Sequence, residues 1–99
     1  MLRRLFRKPG GEPVPLTLYT RADCPLCDEL KRELERARVD RPWTLTEVDI
    51  ETDPALTEAH GSSIPVLEIG GRTAFKGRMT AAEFERKFAR LARAWAEAR

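Results

Sequence analysis

The chain has 99 residues, 41% of them hydrophobic, a length that supports one compact domain with a modest core and excludes two. Charged residues make up 34%, yet 18 Lys and Arg against 16 Asp and Glu leave a net charge of only +2, so a surface of mixed sign is expected rather than the clustered basic face that nucleic acid requires. No run approaches the roughly eighteen apolar residues of a membrane span, and 2 cysteines do not make a structural disulfide framework, so the chain reads as a cytoplasmic monomer with no membrane partner.

Residues 1–13 read as a basic, flexible arm and residues 14–99 as the domain. Leu2, Leu5 and Phe6 fall short of the apolar stretch of a secretory signal, and Pro9-Gly10-Gly11-Glu12-Pro13 punctuates the end of the arm. Val14, Leu16 and Leu18 alternate with Thr17 and Tyr19 at the period of a strand. A helix follows, with Pro25 at its first position and Leu26, Leu30, Leu34 and Ala37 on one face, running to Val39; Glu33, Glu35, Arg36 and Arg38 take its solvent side. After Asp40-Arg41-Pro42, the stretch Trp43 to Ile50 has strand composition, and a strand, helix, strand unit of this length implies parallel pairing.

Asp53 caps a short helix opened by Pro54 and closed by Gly61 after His60. Ile64 to Ile69 reads as a strand with its proline tolerated at the start, Gly70-Gly71 as a hairpin turn, and Thr73 to Lys76 as the antiparallel return. Thr80 and Glu83 form a capping box for a last helix whose stripe is Phe84, Phe88, Leu91 and Trp95, with Glu85, Arg86, Arg90 and Arg93 facing water. The order is β-α-β-α-β-β-α: an α/β fold with helices on both faces of a four-stranded mixed sheet.

Both cysteines lie in Cys24-Pro25-Leu26-Cys27, at the junction of the first strand and first helix. The helix start offers unpaired N–H groups and the positive end of the dipole, which favour thiolate over thiol at Cys24. Residues three apart across a first helical turn can close a disulfide ring. Arg21 supports the thiolate and Asp23 and Asp28 oppose it, so moderate activation is expected.

Two cysteines are also half of a zinc or iron–sulfur site, but His60 is the only histidine and one chain does not complete the set, so no metal ligands are assigned. A redox-inert adaptor is the third reading. Glu47, Asp49, Glu51 and Asp53 read as solvated or capping acids.

The runs Leu18-Tyr19-Thr20-Arg21-Ala22-Asp23-Cys24-Pro25-Leu26-Cys27, Glu47-Val48-Asp49-Ile50-Glu51-Thr52-Asp53-Pro54 and Ile64-Pro65-Val66-Leu67 resemble the small bacterial glutaredoxin-like proteins of the thioredoxin-fold superfamily. The resemblance implies the minimal thioredoxin/glutaredoxin fold and a dithiol oxidoreductase that reduces protein or low-molecular-weight disulfides. By it, Cys24 attacks, Cys27 resolves, and Pro65 is a cis proline whose partner Ile64 offers its backbone to the substrate. It also implies a binding surface formed by Arg21, Ile64, Pro65, Gly77 and Arg78.

The family's usual glutathione site has a glycine pair followed by acids before the last helix. Here that segment is Lys76-Gly77-Arg78-Met79-Thr80, with one glycine and no aspartate, and Arg78 offers an anion a positive charge instead. No tightly bound cofactor is expected, and glutathione, another small thiol or a reductase are the candidate electron donors.

Overall fold

The computed structural model describes residues 11–99, so most of the basic arm lies outside the described residues. The elements are β1 (Val14–Thr20), α1 (Pro25–Arg36), β2 (Trp43–Asp49), a 3-10 turn (Ile50–Thr52), α2 (Pro54–His60), β3 (Val66–Ile69), β4 (Arg72–Lys76) and α3 (Ala81–Glu97). The sheet order is β2-β1-β3-β4; β2 lies parallel to β1, whereas β3 is antiparallel to both β1 and β4. This is the β-α-β-α-β-β-α order and mixed sheet read from the sequence.

The two sheet faces are unequally filled. Val14, Leu16 and Leu18 of β1 are buried in one cluster with Leu30 and Leu34 of α1, Leu67 and Ile69 of β3, and Phe84, Phe88 and Leu91 of α3. Burying a side chain such as Phe84 contributes about 1.5–3 kcal/mol, so the α3 stripe is a principal source of stability. Trp43 meets Phe84 edge-on at 6.5 Å between ring centroids and extends this core over β2. On the opposite face Tyr19 stacks on His60 of α2, 4.3 Å between centroids. Thr57 of α2 donates its hydroxyl to the Ile50 carbonyl at 2.7 Å, tying α2 to the 3-10 turn.

Several element ends differ from the sequence reading. The first helix stops at Arg36, three residues before Val39, and Ala37 is extended. The Arg38 N–H is taken there by the Glu85 carboxylate of α3 at 2.8 Å, so Glu85 is more than a solvent-facing residue, while Arg38 itself is exposed as read. Glu33 is also no simple surface charge, because its carboxylate accepts the Ala81 N–H at the start of α3 at 2.8 Å. The second strand ends at Asp49, whose side chain accepts the Glu51 N–H at 2.9 Å and turns Ile50 out of the strand. The third strand begins at Val66, not Ile64.

At the hairpin, Gly70 has φ 58°, and a Cβ built there would lie 2.9 Å from Trp95 Cβ. Both the turn and the close passage of α3 therefore require glycine. The β3–β4 register shifts at Leu67/Glu68, so Ala74 falls between the partnered residues Thr73 and Phe75 as a bulge. Its carbonyl accepts Lys87 Nζ at 2.7 Å, and the same ammonium sits 4.9 Å from the Phe75 ring centroid.

Candidate active site

Cys24 is the N-cap residue of α1, and Pro25 occupies the first helical turn, where its missing N–H leaves no bond unmade. The preceding residue, Asp23, adopts φ 56°, a left-handed conformation that Asp and Asn tolerate better than most residues. This turn aims the Cys24 sulfur back at the helix, where it accepts the Cys27 backbone N–H at 3.2 Å. The sulfur thus occupies the place a serine or aspartate oxygen takes in an ordinary N-cap. Cys24 and Cys27 are joined as a disulfide, with Cα atoms 5.2 Å apart, inside the usual range for such a bridge.

Burial distinguishes the two cysteines. As whole residues Cys24 retains 9% exposure and Cys27 only 1%, so Cys24 is the more accessible of the two. Cys24 opens on a groove of about 360 Å³ walled by Arg21, Asp23, Asp28, Lys31, Glu47 and Asp49. Lys31 Nζ is bound to Glu47 Oε1 at 3.2 Å.

The register of β1 and β2 explains the acidic wall. Trp43, Leu45, Glu47 and Asp49 oppose Val14, Leu16, Leu18 and Thr20, so they share the sheet face that α1 covers. Apolar residues fill that face toward the core, and carboxylates fill it at the end nearest Cys24. The sequence reading placed Glu47 and Asp49 among solvated or capping acids. Asp49 does cap the 3-10 turn, yet the alternation Trp43, Leu45, Glu47, Asp49 was the signal for a core face turning into a site wall.

The remaining expected residues lie on other sides of the cysteine pair. Antiparallel pairing of Tyr19 with Val66 sets the head of β3, and hence Ile64-Pro65, beside the end of β1 that leads to Cys24. The Ile64–Pro65 bond is cis. The Gly77 N–H donates to the Pro65 carbonyl at 2.8 Å, and Gly77 has φ 84°. Arg78 is 3.9 Å from Glu29 of α1 and largely exposed. Only Arg21 of this set shares the groove with Cys24.

The start of α3 is largely occupied by the protein's own groups. Thr80 Oγ1 accepts the Glu83 N–H at 3.1 Å, Glu83 Oε1 accepts the Thr80 N–H at 2.9 Å, and Glu33 holds the Ala81 N–H. Among the described residues there is no cluster of three or more His, Cys, Asp or Glu side chains placed to hold a metal ion, and no helix is long and apolar enough to cross a membrane.

One further titratable pair lies on the α2 face. Desolvation by burial pushes the Tyr19 hydroxyl above its ordinary value, helped by the negative charge of Glu68. Nothing in the sequence pattern singled out this pair, because Glu68 meets Tyr19 only through the β1–β3 register.

Comparison with solved structures identifies the same architecture. A Northeast Structural Genomics target protein from X. campestris is 35% identical, with a TM-score of 0.60, covering 85% of this chain and 97% of that one. A glutaredoxin from Brucella melitensis is 22% identical, with a TM-score of 0.54, over 90% of this chain and 96% of that one. Buckwheat glutaredoxin, solved in complex with glutathione, is 15% identical, with a TM-score of 0.50, over 83% and 79%. The last two speak to the fold alone. The model of the glutaredoxin-like domain (DUF836) matches residues 15–89. With a Cys-x-x-Cys pair at the N-terminus of the first helix of a thioredoxin-type sheet, the chain belongs to this glutaredoxin-like family, whose features support a thiol redox role.

Proposed function

We propose that the chain is a dithiol oxidoreductase that reduces disulfides through Cys24 and Cys27. The observation that carries this reading is the Cys27 N–H held 3.2 Å from the Cys24 sulfur at a helix N-terminus, in a residue that lines an open groove. In the reduced protein the same N–H and the helix dipole stabilise a thiolate on Cys24.

The reaction moves two electrons. The Cys24 thiolate attacks one sulfur of a substrate disulfide, forming a mixed disulfide and expelling the other sulfur as a thiolate that takes up a proton. Cys27, deprotonated, then attacks the Cys24 sulfur, forms the intramolecular bridge seen here, and releases the second substrate thiol. The substrate is reduced and the cysteine pair oxidised. Two equivalents of a small thiol, or a dithiol reductase, open the bridge through a mixed disulfide and leave as their own disulfide, restoring both thiols.

Glutathione is one such thiol, supported by the complex formed by buckwheat glutaredoxin. Arg21 lines the groove beside Cys24, Ile64-Pro65 offers a backbone edge at the head of β3, and Gly77-Arg78 forms the adjoining rim. A reducing compartment such as the cytoplasm suits this direction of flow.

Replacing each cysteine separately tests the assignment. With a disulfide-linked peptide as substrate, Cys24→Ser should lose exchange altogether, and Cys27→Ser should accumulate a mixed disulfide at Cys24 detectable by mass. Full activity of Cys24→Ser would overturn the reading.

A further inference from the structure

We infer that the groove beside Cys24 selects disulfides that carry positive charge next to the reacting sulfur; this rests on the oxidoreductase reading and names its substrate class. Cys24 is itself one of the residues that wall the groove, so a chain presenting a disulfide to Cys24 lies against that wall. Four carboxylates, Asp23, Asp28, Glu47 and Asp49, face two cations there, Arg21 and Lys31. Lys31 is already engaged by Glu47 at 3.2 Å, which leaves Arg21 opposite Asp23, Asp28 and Asp49. On the other flank the charge of Arg78 is countered by Glu29 at 3.9 Å.

Four carboxylates less two cations leave an excess of two negative charges, against which the α1 dipole sets only about half a positive charge, so the net field over the approach to Cys24 is negative. A lysine or arginine beside the substrate cysteine gains attraction in the encounter, whereas a glutamate or a free carboxylate meets repulsion. The reacting thiolate adds to the same field until it is consumed. Two of the acids sit where β2 would otherwise continue the apolar pattern of Trp43 and Leu45, so the charge belongs to the wall of the site. A basic polypeptide segment fits this surface better than an anionic small thiol.

The test uses the full-length reduced protein and two peptides of equal length, each dimerised through one cysteine, one flanked by lysines and the other by glutamates. Second-order rate constants for their reduction are each divided by the rate with dithiothreitol, which removes the peptides' own difference in reactivity. The lysine peptide should be preferred by roughly tenfold in about 0.01 M salt and the preference should collapse in about 1 M salt, where the screening length falls from ~30 Å to ~3 Å.

In the double variant Asp23→Asn with Asp49→Asn the preference should drop at least about threefold. Asparagine keeps the side-chain oxygen that accepts the Glu51 N–H and tolerates φ 56° at position 23. Equal normalised rates for the two peptides in the native protein, or an undiminished preference in the double variant, would overturn the inference while leaving the oxidoreductase reading intact. Reduction of neither peptide would overturn both.

Discussion

Glu33 is the residue whose removal should show most plainly how α1, the helix that begins at the cysteine pair, is tied to α3. Its Oε1 accepts the Ala81 N–H at 2.8 Å, one of the donors that a helix start leaves without an internal partner. Its other oxygen lies 3.5 Å from Arg36, whose side chain is 74% exposed, so that ion pair contributes only about 0–0.5 kcal/mol. Glu33→Ala strands the part-buried Ala81 N–H, at a cost of about 1–3 kcal/mol, and removes a negative charge from the positive end of α3, worth about 0.3–1 kcal/mol. The better helix propensity of alanine returns only a few tenths.

A net loss of about 2 kcal/mol follows, or roughly 8–16 °C in Tm for a domain of this size. Glu33→Gln keeps an acceptor and loses the charge, so it should cost roughly 1 kcal/mol or less. Urea unfolding of the oxidised protein, followed by circular dichroism, measures both. If alanine and glutamine destabilise equally, or if alanine costs under about 0.5 kcal/mol, the Glu33 to Ala81 bond is not what joins the two helices.

Two other outcomes follow from packing and charge. Gly70→Ala should destabilise by about 2 kcal/mol, since its Cβ would meet Trp95 at 2.9 Å in a backbone with φ 58°; urea unfolding reads this, and a neutral result would mean that the α3 end moves aside freely. Tyr19 is the one tyrosine of the chain, so ultraviolet titration of its phenolate should give a midpoint above 10. Because the folded state holds that proton more tightly than the unfolded state, the contribution is complete below the ordinary tyrosine value and is lost as pH rises through the raised one. Stability should accordingly fall less steeply above about pH 10 in Tyr19→Phe than in the native protein.

The parts legible in the sequence are those decided within a few residues. Thr80 with Glu83 and Asp53 with Pro54 cap their helices, Gly70-Gly71 supplies the positive φ of the hairpin turn, and all three work as read. The cysteine pair was equally plain, because strand, proline and helix pattern converge on it. What stayed hidden depends on residues distant in sequence. Glu33 and Glu85 looked like solvent-facing helix acids, yet each captures a backbone N–H 48 or 47 positions away. The acidic wall of the groove needed the parallel register of β1 and β2 before Glu47 and Asp49 could be set beside Cys24. The sequence reading names the unpaired N–H groups of the helix start beside Cys24, and the structure identifies the Cys27 N–H as the one on the Cys24 sulfur.

The bulge at Ala74 bears on how the protein behaves at high concentration. β4 is an outer strand, and the unpaired backbone of such a strand can template a neighbouring chain into a growing intermolecular sheet. A bulge bends and twists the strand away from a flat edge, and the ammonium of Lys87 takes the Ala74 carbonyl, with Arg72 and Lys76 adding charge at the two ends. A second copy approaching along β4 meets a distorted strand and a fixed cation where it would need a free acceptor, a barrier against edge-to-edge aggregation.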